Sequence, residues 1–218
     1  MSRPTSRYTY LDDGAAIYAE SFATIRRETR MDHLPADAET TAVRMVHGTG
    51  QPDLVDALVV HARLVGDART ALRLGAPILT DAHMVASGVT RSRLPRDNRV
   101  LCLLDDPRVP GLARAWGTTR SAAAVSLWKP HLDGAVVAVG NAPTALFHLL
   151  EMLLDGAPRP AAILGCPVGF VGAAESKEAL AGLAGDHGID VPFLTVHGRR
   201  GGSAMTASAL NALAREAE

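Results

Sequence analysis

The stretch AVVAVGNAPTALFHLLEMLL, residues 135–154, decides the fold class of this chain. It opens with a continuous apolar run, which is typical of a strand buried on both faces of a sheet. Asn141 and Pro143 then interrupt it, with Pro143 where a helix can begin and Asn141 as a possible cap. The stretch is long enough to cross a bilayer. However, the interruption, together with His148 and Glu151 at helical spacing, favours a strand, a turn and a buried helix.

The same unit recurs along the C-terminal two thirds of the chain. Further continuous apolar runs lie at 76–81, 99–106, 160–169 and 191–198, and helical patterns separate them. Repeated strand–helix units predict a parallel sheet that is covered by helices on both faces and binds ligands beyond the carboxyl ends of its strands. We therefore predict a three-layer α/β fold with a five-stranded, mainly parallel sheet.

The N-terminal third has a different pattern. Residues 1–75 are predicted to be mostly helical, with helices at 14–30 and 36–47, the second ending at Gly48, and a third across most of 53–75. The pattern alternates between strand and helix only from residue 76 onward. No long linker or repeat divides the chain, which predicts a single domain over residues 1–218.

Composition excludes several classes of protein. The net charge is −1, without the basic excess of a nucleic-acid or membrane-surface binder. Cys102 and Cys166 form no Cys-x-x-Cys pair, so a disulfide or zinc framework is not expected and a reducing cytoplasm fits best. The N-terminus shows no apolar core of a signal peptide. We expect a cytoplasmic protein without nucleic-acid or membrane partners.

The familiar signatures of cofactor and nucleophile sites are missing. The chain has no dinucleotide fingerprint, no Walker motif, no Gly-x-Ser-x-Gly elbow and no histidine spacing typical of a metal site. We therefore predict no metal and no cofactor. Glycine-rich loops after the predicted strands, GNAPT (140–144), GCPVGFVGAAES (165–176) and GRRGGSAMT (198–206), could accept anions at helix starts or could simply allow tight turns.

Arginine dominates the basic residues. Only Lys129 and Lys177 are lysines among 22 basic residues, and this bias fits either a genome rich in G and C or recognition of carboxylates and phosphates. Composition alone favours the genomic explanation. The residues by themselves predict an α/β enzyme or binder with an arginine-lined, anion-accepting pocket.

The loop sequences closely resemble those of the precorrin-8X methylmutase family, in order and over nearly the whole chain. GNAPTAL (140–146) and PVGFVGAAESK (167–177) are the most specific matches, and AVRMVHGTG (42–50) and TRSAAAVSLW (119–128) match as well. Members of this family are isomerases of the cobalamin pathway that move a methyl group from C11 to C12 of the macrocycle. Their product is hydrogenobyrinate or its cobalt-bearing counterpart, and the close loop match favours the metal-free route.

The resemblance implies a flavodoxin-like fold, a homodimer with pockets near the subunit interface, and a set of site residues. His47 matches the catalytic histidine, and Ser21 and Arg44 match positions that line the substrate pocket. From the residues alone, His47 would more readily serve a helix-end carbonyl. The family often has Cys-Gly after a small residue here, and GTG in this chain indicates that no thiol is essential.

The implied substrate is a corrinoid rimmed by carboxylates, which gives the arginines a role. Arg44, Arg91 and Arg120 are predicted carboxylate clamps, and Thr90 and Ser121 could add neutral hydrogen bonds. Arg199 and Arg200 stay undecided, and the arginines on the N-terminal helices, such as Arg63, are expected to face solvent.

Two functions of different class remain open. One is the isomerase, with His47 as general acid, and the other is a non-catalytic corrinoid carrier. A carrier needs no acid at this position, so His47 favours the enzyme. A flavin or nucleotide binder would need an aromatic stacking pair that the loops do not contain.

Overall fold

The computed structural model describes residue 5 and residues 7–215, and within that part of the chain six strands form one mixed sheet. The strands are β1 Leu58–Val60, β2 Ile78–Thr80, β3 Val100–Leu101, β4 Val136–Val139, β5 Ala162–Gly165 and β6 Phe193–Val196. Their order across the sheet is β1-β6-β5-β4-β2-β3. β1 runs antiparallel to β6, and all other neighbouring strands are parallel.

Helices cover both faces of this sheet. They are α1 Gly14–Glu28, α2 Glu39–Thr49, α3 Leu64–Arg73, α4 His83–Gly88, α5 Val109–Trp116, α6 Arg120–Ser126, α7 Pro143–Leu154, α8 Ala173–His187 and α9 Ser203–Leu213. Short 3₁₀ helices lie at Ala36–Ala38, Pro52–Ala57, Arg91–Arg93 and Lys129–His131.

Side chains alternate between two hydrophobic cores along each buried strand. In β4, Val136 and Ala138 join the core beneath α1–α4 and α9, whereas Val137 and Val139 join the core beneath α6, α7 and α8. Because all four are fully buried, the strand has the continuous apolar run seen in the sequence. The stretch 135–154 is therefore strand, turn and helix, as predicted.

The predicted count of five strands was wrong by one. The pattern across 53–75 predicts mostly helix, but residues 58–60 form β1, which pairs with Val196 and its neighbours near the other end of the chain. Three residues are too few to show a strand period, and the preceding 3₁₀ helix and the following α3 have helical spacing. The added strand is antiparallel and lies at the edge of the sheet.

Two helix boundaries also differ from the prediction. The helical pattern that follows the apolar run at 99–106, ARAWGTTRSAAAVSLWK (113–129), predicts one helix. The structure has two there, α5 and α6, because Gly117 ends the first in a left-handed conformation and Thr119 caps the second by accepting the Ala122 N–H. α2 continues past Gly48 to Thr49, and Gly50, with φ +65°, ends it.

Within the described residues, no helix has both the length and the apolar character needed to cross a membrane.

Candidate active site

His47 lies in the last turn of α2 and faces α1. Its Nδ1 is 2.8 Å from the Ser21 hydroxyl. The ring centroids of Tyr18 and Phe22, also on α1, lie 5.1 and 5.4 Å from the imidazole. Tyr18, Ser21 and Phe22, which lie on one face of α1 at i, i+3 and i+4, thus surround one histidine on α2, because α1 buries its Phe22 and Ile25 side against that helix.

The Ser21 hydrogen bond fixes the imidazole while leaving the other nitrogen available. A serine hydroxyl can accept from Nδ1–H of an imidazolium or donate to Nδ1 of a neutral ring. Among the described residues, Nε2 has no hydrogen-bond partner, and the side chain is exposed. The histidine can therefore present Nε2 to a ligand in either protonation state.

Two neighbouring cavities lie beside the α1–α2 pair. His47 lines one of about 290 Å³ together with Ser21, Thr24, Val46, Gly50 and Pro52 among others. Arg44 lines the other, of about 360 Å³, together with Ala15, Tyr18, Ala19, Phe22, Arg93 and Arg215. The Arg44 guanidinium carbon lies 5.3 Å above the Phe22 ring, and the side chain is buried. The structure therefore brings the predicted residues Ser21, Arg44 and His47 together.

Thr90 and Arg91 lie close to the Arg44 cavity without lining it. The Thr90 N–H donates to Asn211 Oδ1 at 2.8 Å, and Asn211 Nδ2 donates to the Gly88 carbonyl, which fixes this segment on α9. Arg91 begins the 3₁₀ helix and is exposed. It is Arg93, two residues later in the same GVTRSR stretch, that reaches the cavity.

Arg120 and Ser121 lie on the opposite face of the sheet from His47, as the first two residues of α6. The Arg120 guanidinium donates to Asp105 Oδ1 and to the Leu104 carbonyl, both at 3.2 Å. His83 Nε2 is 2.7 Å from the other Asp105 oxygen. Within one chain, the sheet thus separates these two predicted residues from His47 and Arg44.

Asp81 lies at the centre of the carboxyl edge of the sheet, where the parallel strands end. It was not among the residues predicted from the sequence. Strand order reverses between β2 and β4, which is where α/β folds bind ligands. Asp81 follows β2, and its carboxylate accepts the N–H groups of Gly140, Asn141 and Ala142 at 2.7–2.9 Å. Burial raises the pKa of this carboxyl, and the three hydrogen bonds oppose that rise.

This arrangement corrects the prediction for the GNAPT loop. Asn141 does not cap α7; Ala142 occupies the N-cap position, and its side chain forms no capping hydrogen bond. The carboxylate of Asp81 fills the anion position there instead. The backbone of this loop is therefore used within the protein.

Two further loops at this edge are joined to one another. The Gly202 N–H donates to the Cys166 carbonyl, the Gly169 N–H to the Arg199 carbonyl, and Lys177 Nζ to the Arg200 carbonyl at 2.6 Å. The Lys177 side chain is fully buried, and burial lowers its pKa. Burial also raises the pKa of Cys166 to about 12, which makes a nucleophilic thiolate unfavourable.

The two arginines left undecided have different surroundings. Arg200 forms an ion pair with Asp53. The Arg199 guanidinium carbon lies 5.2 Å from the centre of the Phe170 ring. In the part of the chain that the structure describes, no group of three or more His, Cys, Asp or Glu side chains could hold a metal ion.

Comparison with known proteins identifies the family of this chain. A family model described as precorrin-8X methylmutase matches residues 16–216. A precorrin-8X methylmutase of Sinorhizobium sp. is 59% identical over 95% of this chain and 97% of its own length. That of Pseudomonas aeruginosa is also 59% identical, over 96% of this chain and 99% of its own length. The cobalt-precorrin-8 methylmutase of Salmonella typhimurium is 38% identical, over 94% and 96%.

A solved structure agrees as well. The crystal structure of precorrin-8X methyl mutase from Thermus thermophilus superposes with a TM-score of 0.81 at 40% identity, covering 92% of this chain and 95% of that one. The chain therefore belongs to the precorrin-8X methylmutase family and is an isomerase of cobalamin biosynthesis.

Proposed function

We propose that this isomerase moves the methyl group of precorrin-8X from C11 to C12 and forms hydrogenobyrinate, with His47 as the general acid. The observation that carries the proposal is the exposed imidazole held at Nδ1 by Ser21 beside a cavity. The metal-free substrate is favoured because two precorrin-8X enzymes are 59% identical to this chain, whereas a cobalt-precorrin-8 enzyme is 38% identical.

The chemistry requires a proton donor more than a nucleophile. One carbon–methyl bond breaks while another forms on the same conjugated ring, so no leaving group or redox partner is needed. Hydrogen bonding or proton transfer from His47 Nε2 to a ring nitrogen makes the π system electron-poor at the carbon that receives the methyl group. Ser21 acts as a positioning residue, because its oxygen accepts from Nδ1–H when the ring is charged.

The arginines bind the carboxylates of the macrocycle rim. Arg44 lies beside His47 in the α1–α2 pair, with its guanidinium over an aromatic ring. Arg91 and Arg120 are further clamps, and the hydroxyls of Thr90 and Ser121 supply neutral hydrogen bonds. Arg120 exchanges Asp105 for a substrate carboxylate as the ligand binds.

The active form is a cytoplasmic homodimer. α1 and the segment before it expose the large apolar or aromatic side chains Tyr8, Tyr10, Leu11, Ile17 and Tyr18, and the Tyr18 ring lies against His47. Since one chain separates Arg120 from His47, a second copy is needed to complete the set of clamps. Sedimentation velocity of the parent protein tests this directly, and a monomer at micromolar concentration contradicts it.

The His47→Ala variant tests the catalytic proposal. Losing a positioned acid should slow conversion of precorrin-8X by ~10²-fold or more, a typical share for general acid catalysis. Hydrogenobyrinate binding should stay within a few-fold of the parent. His187→Ala, which changes an exposed histidine in the last turn of α8, is the matched control. Normal turnover by His47→Ala would instead favour a different acid, and absence of turnover in the parent would favour the corrinoid carrier.

A further inference from the structure

The loop that follows β5 has an apolar tip in contact with solvent. Val168 is 45% exposed, Phe170 84% and Val171 87%. Three neighbouring apolar side chains exposed on one loop, one of them aromatic, are typical of a binding surface.

The backbone beneath this tip is held firmly. Its neighbour is the loop after β6, and the two share the Gly202–Cys166 and Gly169–Arg199 hydrogen bonds. The buried Lys177 ammonium fixes the Arg200 carbonyl from below. At Gly201 a β-carbon would collide with the backbone carbonyls of Cys166 and Pro167. The exposed tip is therefore presented by a packed base, as a preorganised binding surface requires.

A cation lies on the aromatic ring of this surface. The Arg199 guanidinium carbon is 5.2 Å from the Phe170 centroid. Arg199 has no carboxylate partner among the described residues, whereas Arg200 next to it is paired with Asp53. An aromatic face with an available guanidinium suits a conjugated ligand that carries carboxylates on its rim.

The surface also adjoins the His47 cavity. Phe170 and Arg199 line a cavity of about 300 Å³ that Gln51 and Met205 line as well. Gln51 stands between Gly50 and Pro52, which line the cavity of His47. It directly follows Gly50, the left-handed residue that ends α2 just after His47. The two cavities thus meet at the C-terminal end of α2.

We infer that Phe170 and Arg199 form a second wall of the macrocycle site, in which Phe170 packs against the ring and Arg199 binds one peripheral carboxylate. The inference rests on the proposed function, because it takes the corrinoid as the occupant. It assigns this surface to the ligand and not to a second copy of the chain.

Absorbance titration with hydrogenobyrinate tests the inference. Phe170→Ala and Arg199→Ala should each raise Kd by about tenfold, which is the size of effect expected for one lost contact of ~1.4 kcal/mol. The KM for precorrin-8X should rise by a larger factor than the rate at saturation falls, since neither residue takes part in proton transfer. The Arg199 effect should shrink at high salt, and the Phe170 effect should not.

Matched control residues lie at the amino edge of the sheet, where the parallel strands begin. Leu74→Ala removes another highly exposed apolar side chain, and Arg159→Ala removes another exposed arginine. Both should bind hydrogenobyrinate like the parent. The proposal is overturned if Phe170→Ala and Arg199→Ala also bind like the parent. It is equally overturned if Phe170→Ala changes the sedimentation coefficient, because the loop is then a subunit contact. His47→Ala is assayed in parallel to separate the two proposals. If His47 is not the acid, its variant keeps normal turnover; if Phe170 and Arg199 do not contact the macrocycle, their variants keep the parent Kd.

Discussion

The amino edge of the sheet, where its parallel strands begin, differs from the carboxyl edge, where they end, in how charged side chains are held. At the amino edge, a cavity of about 630 Å³ is lined by residues that precede β2, β4, β5 and β6. It is larger than either cavity beside α1 and α2. Three of its charged side chains are half-exposed and paired with one another, with Arg63 3.2 Å from Asp67 and 2.7 Å from Asp190. Such pairs contribute little and impose little geometry.

At the carboxyl edge the cavities are smaller, but charged groups are buried and bound to backbone. Asp81 holds the loop after β4 and Lys177 holds the loop after β6. Burying a charge is costly unless hydrogen bonds compensate, so such groups mark places where the loops must keep one conformation. Loops fixed by buried charges are therefore a better guide to the candidate functional edge than cavity volume is.

Asp81→Ala should produce the largest change in stability. Three backbone N–H groups lose their acceptor, at ~1–3 kcal/mol for each one left unsatisfied, offset in part by release of a buried carboxylate. We expect the free energy of unfolding to fall by about 2–5 kcal/mol in urea titrations. Asp133→Ala, an exposed aspartate at the amino edge, should cost less than about 0.5 kcal/mol. Equal losses in the two variants would remove the distinction between the edges.

Gly201→Ala tests whether the two joined loops are as closely packed as their hydrogen bonds indicate. The added methyl would meet two backbone carbonyls that cannot move aside, so the variant should lose about 1–3 kcal/mol of stability. It should also bind hydrogenobyrinate more weakly.

The control for Gly201 is Gly185→Ala in α8, where the β-carbon meets open space. This substitution should stabilise the protein by ~0.5–1 kcal/mol, because alanine favours the helix over glycine. Thermal unfolding of the two variants checks the opposite signs, and a shift of both in the same direction would contradict the packing argument.

Local patterns were enough to predict the strand–helix units but not their pairing. β4 and α7 follow directly from one continuous apolar run, a proline and a helical period. β1 could not be predicted, because its partner β6 lies near the far end of the chain. Strand order likewise determines which loops become neighbours, and no local sequence pattern shows the strand order.

The spatial grouping of the candidate residues could be predicted to a similar extent. Ser21, Arg44 and His47 come together because they lie at helical spacing on two helices that follow one another in the chain. Arg120 could not be placed relative to them, since its side of the sheet depends on the whole topology. Asp81 binds amides 59 to 61 positions away, and only its place after a strand hinted at a role. Lys177 had a clearer signal, because it is one of two lysines in an arginine-rich chain.

The smallest effect is expected for Arg63 at the amino edge. A double-mutant cycle of Arg63→Ala and Asp190→Ala should give a coupling of ~0.2–1 kcal/mol, as for other exposed ion pairs. In 1 M salt, where the Debye length is about 3 Å, the coupling should become smaller still. His61 also lies 3.1 Å from Asp190, so the cycle, and not the single Asp190 variant, isolates the arginine pair. Hydrogenobyrinate affinity should be unchanged in Arg63→Ala. A tenfold loss of affinity there would place the macrocycle in the larger cavity and reverse the assignment of the two edges, because Arg63 lines that cavity and lines neither the His47 cavity nor the Arg199 cavity.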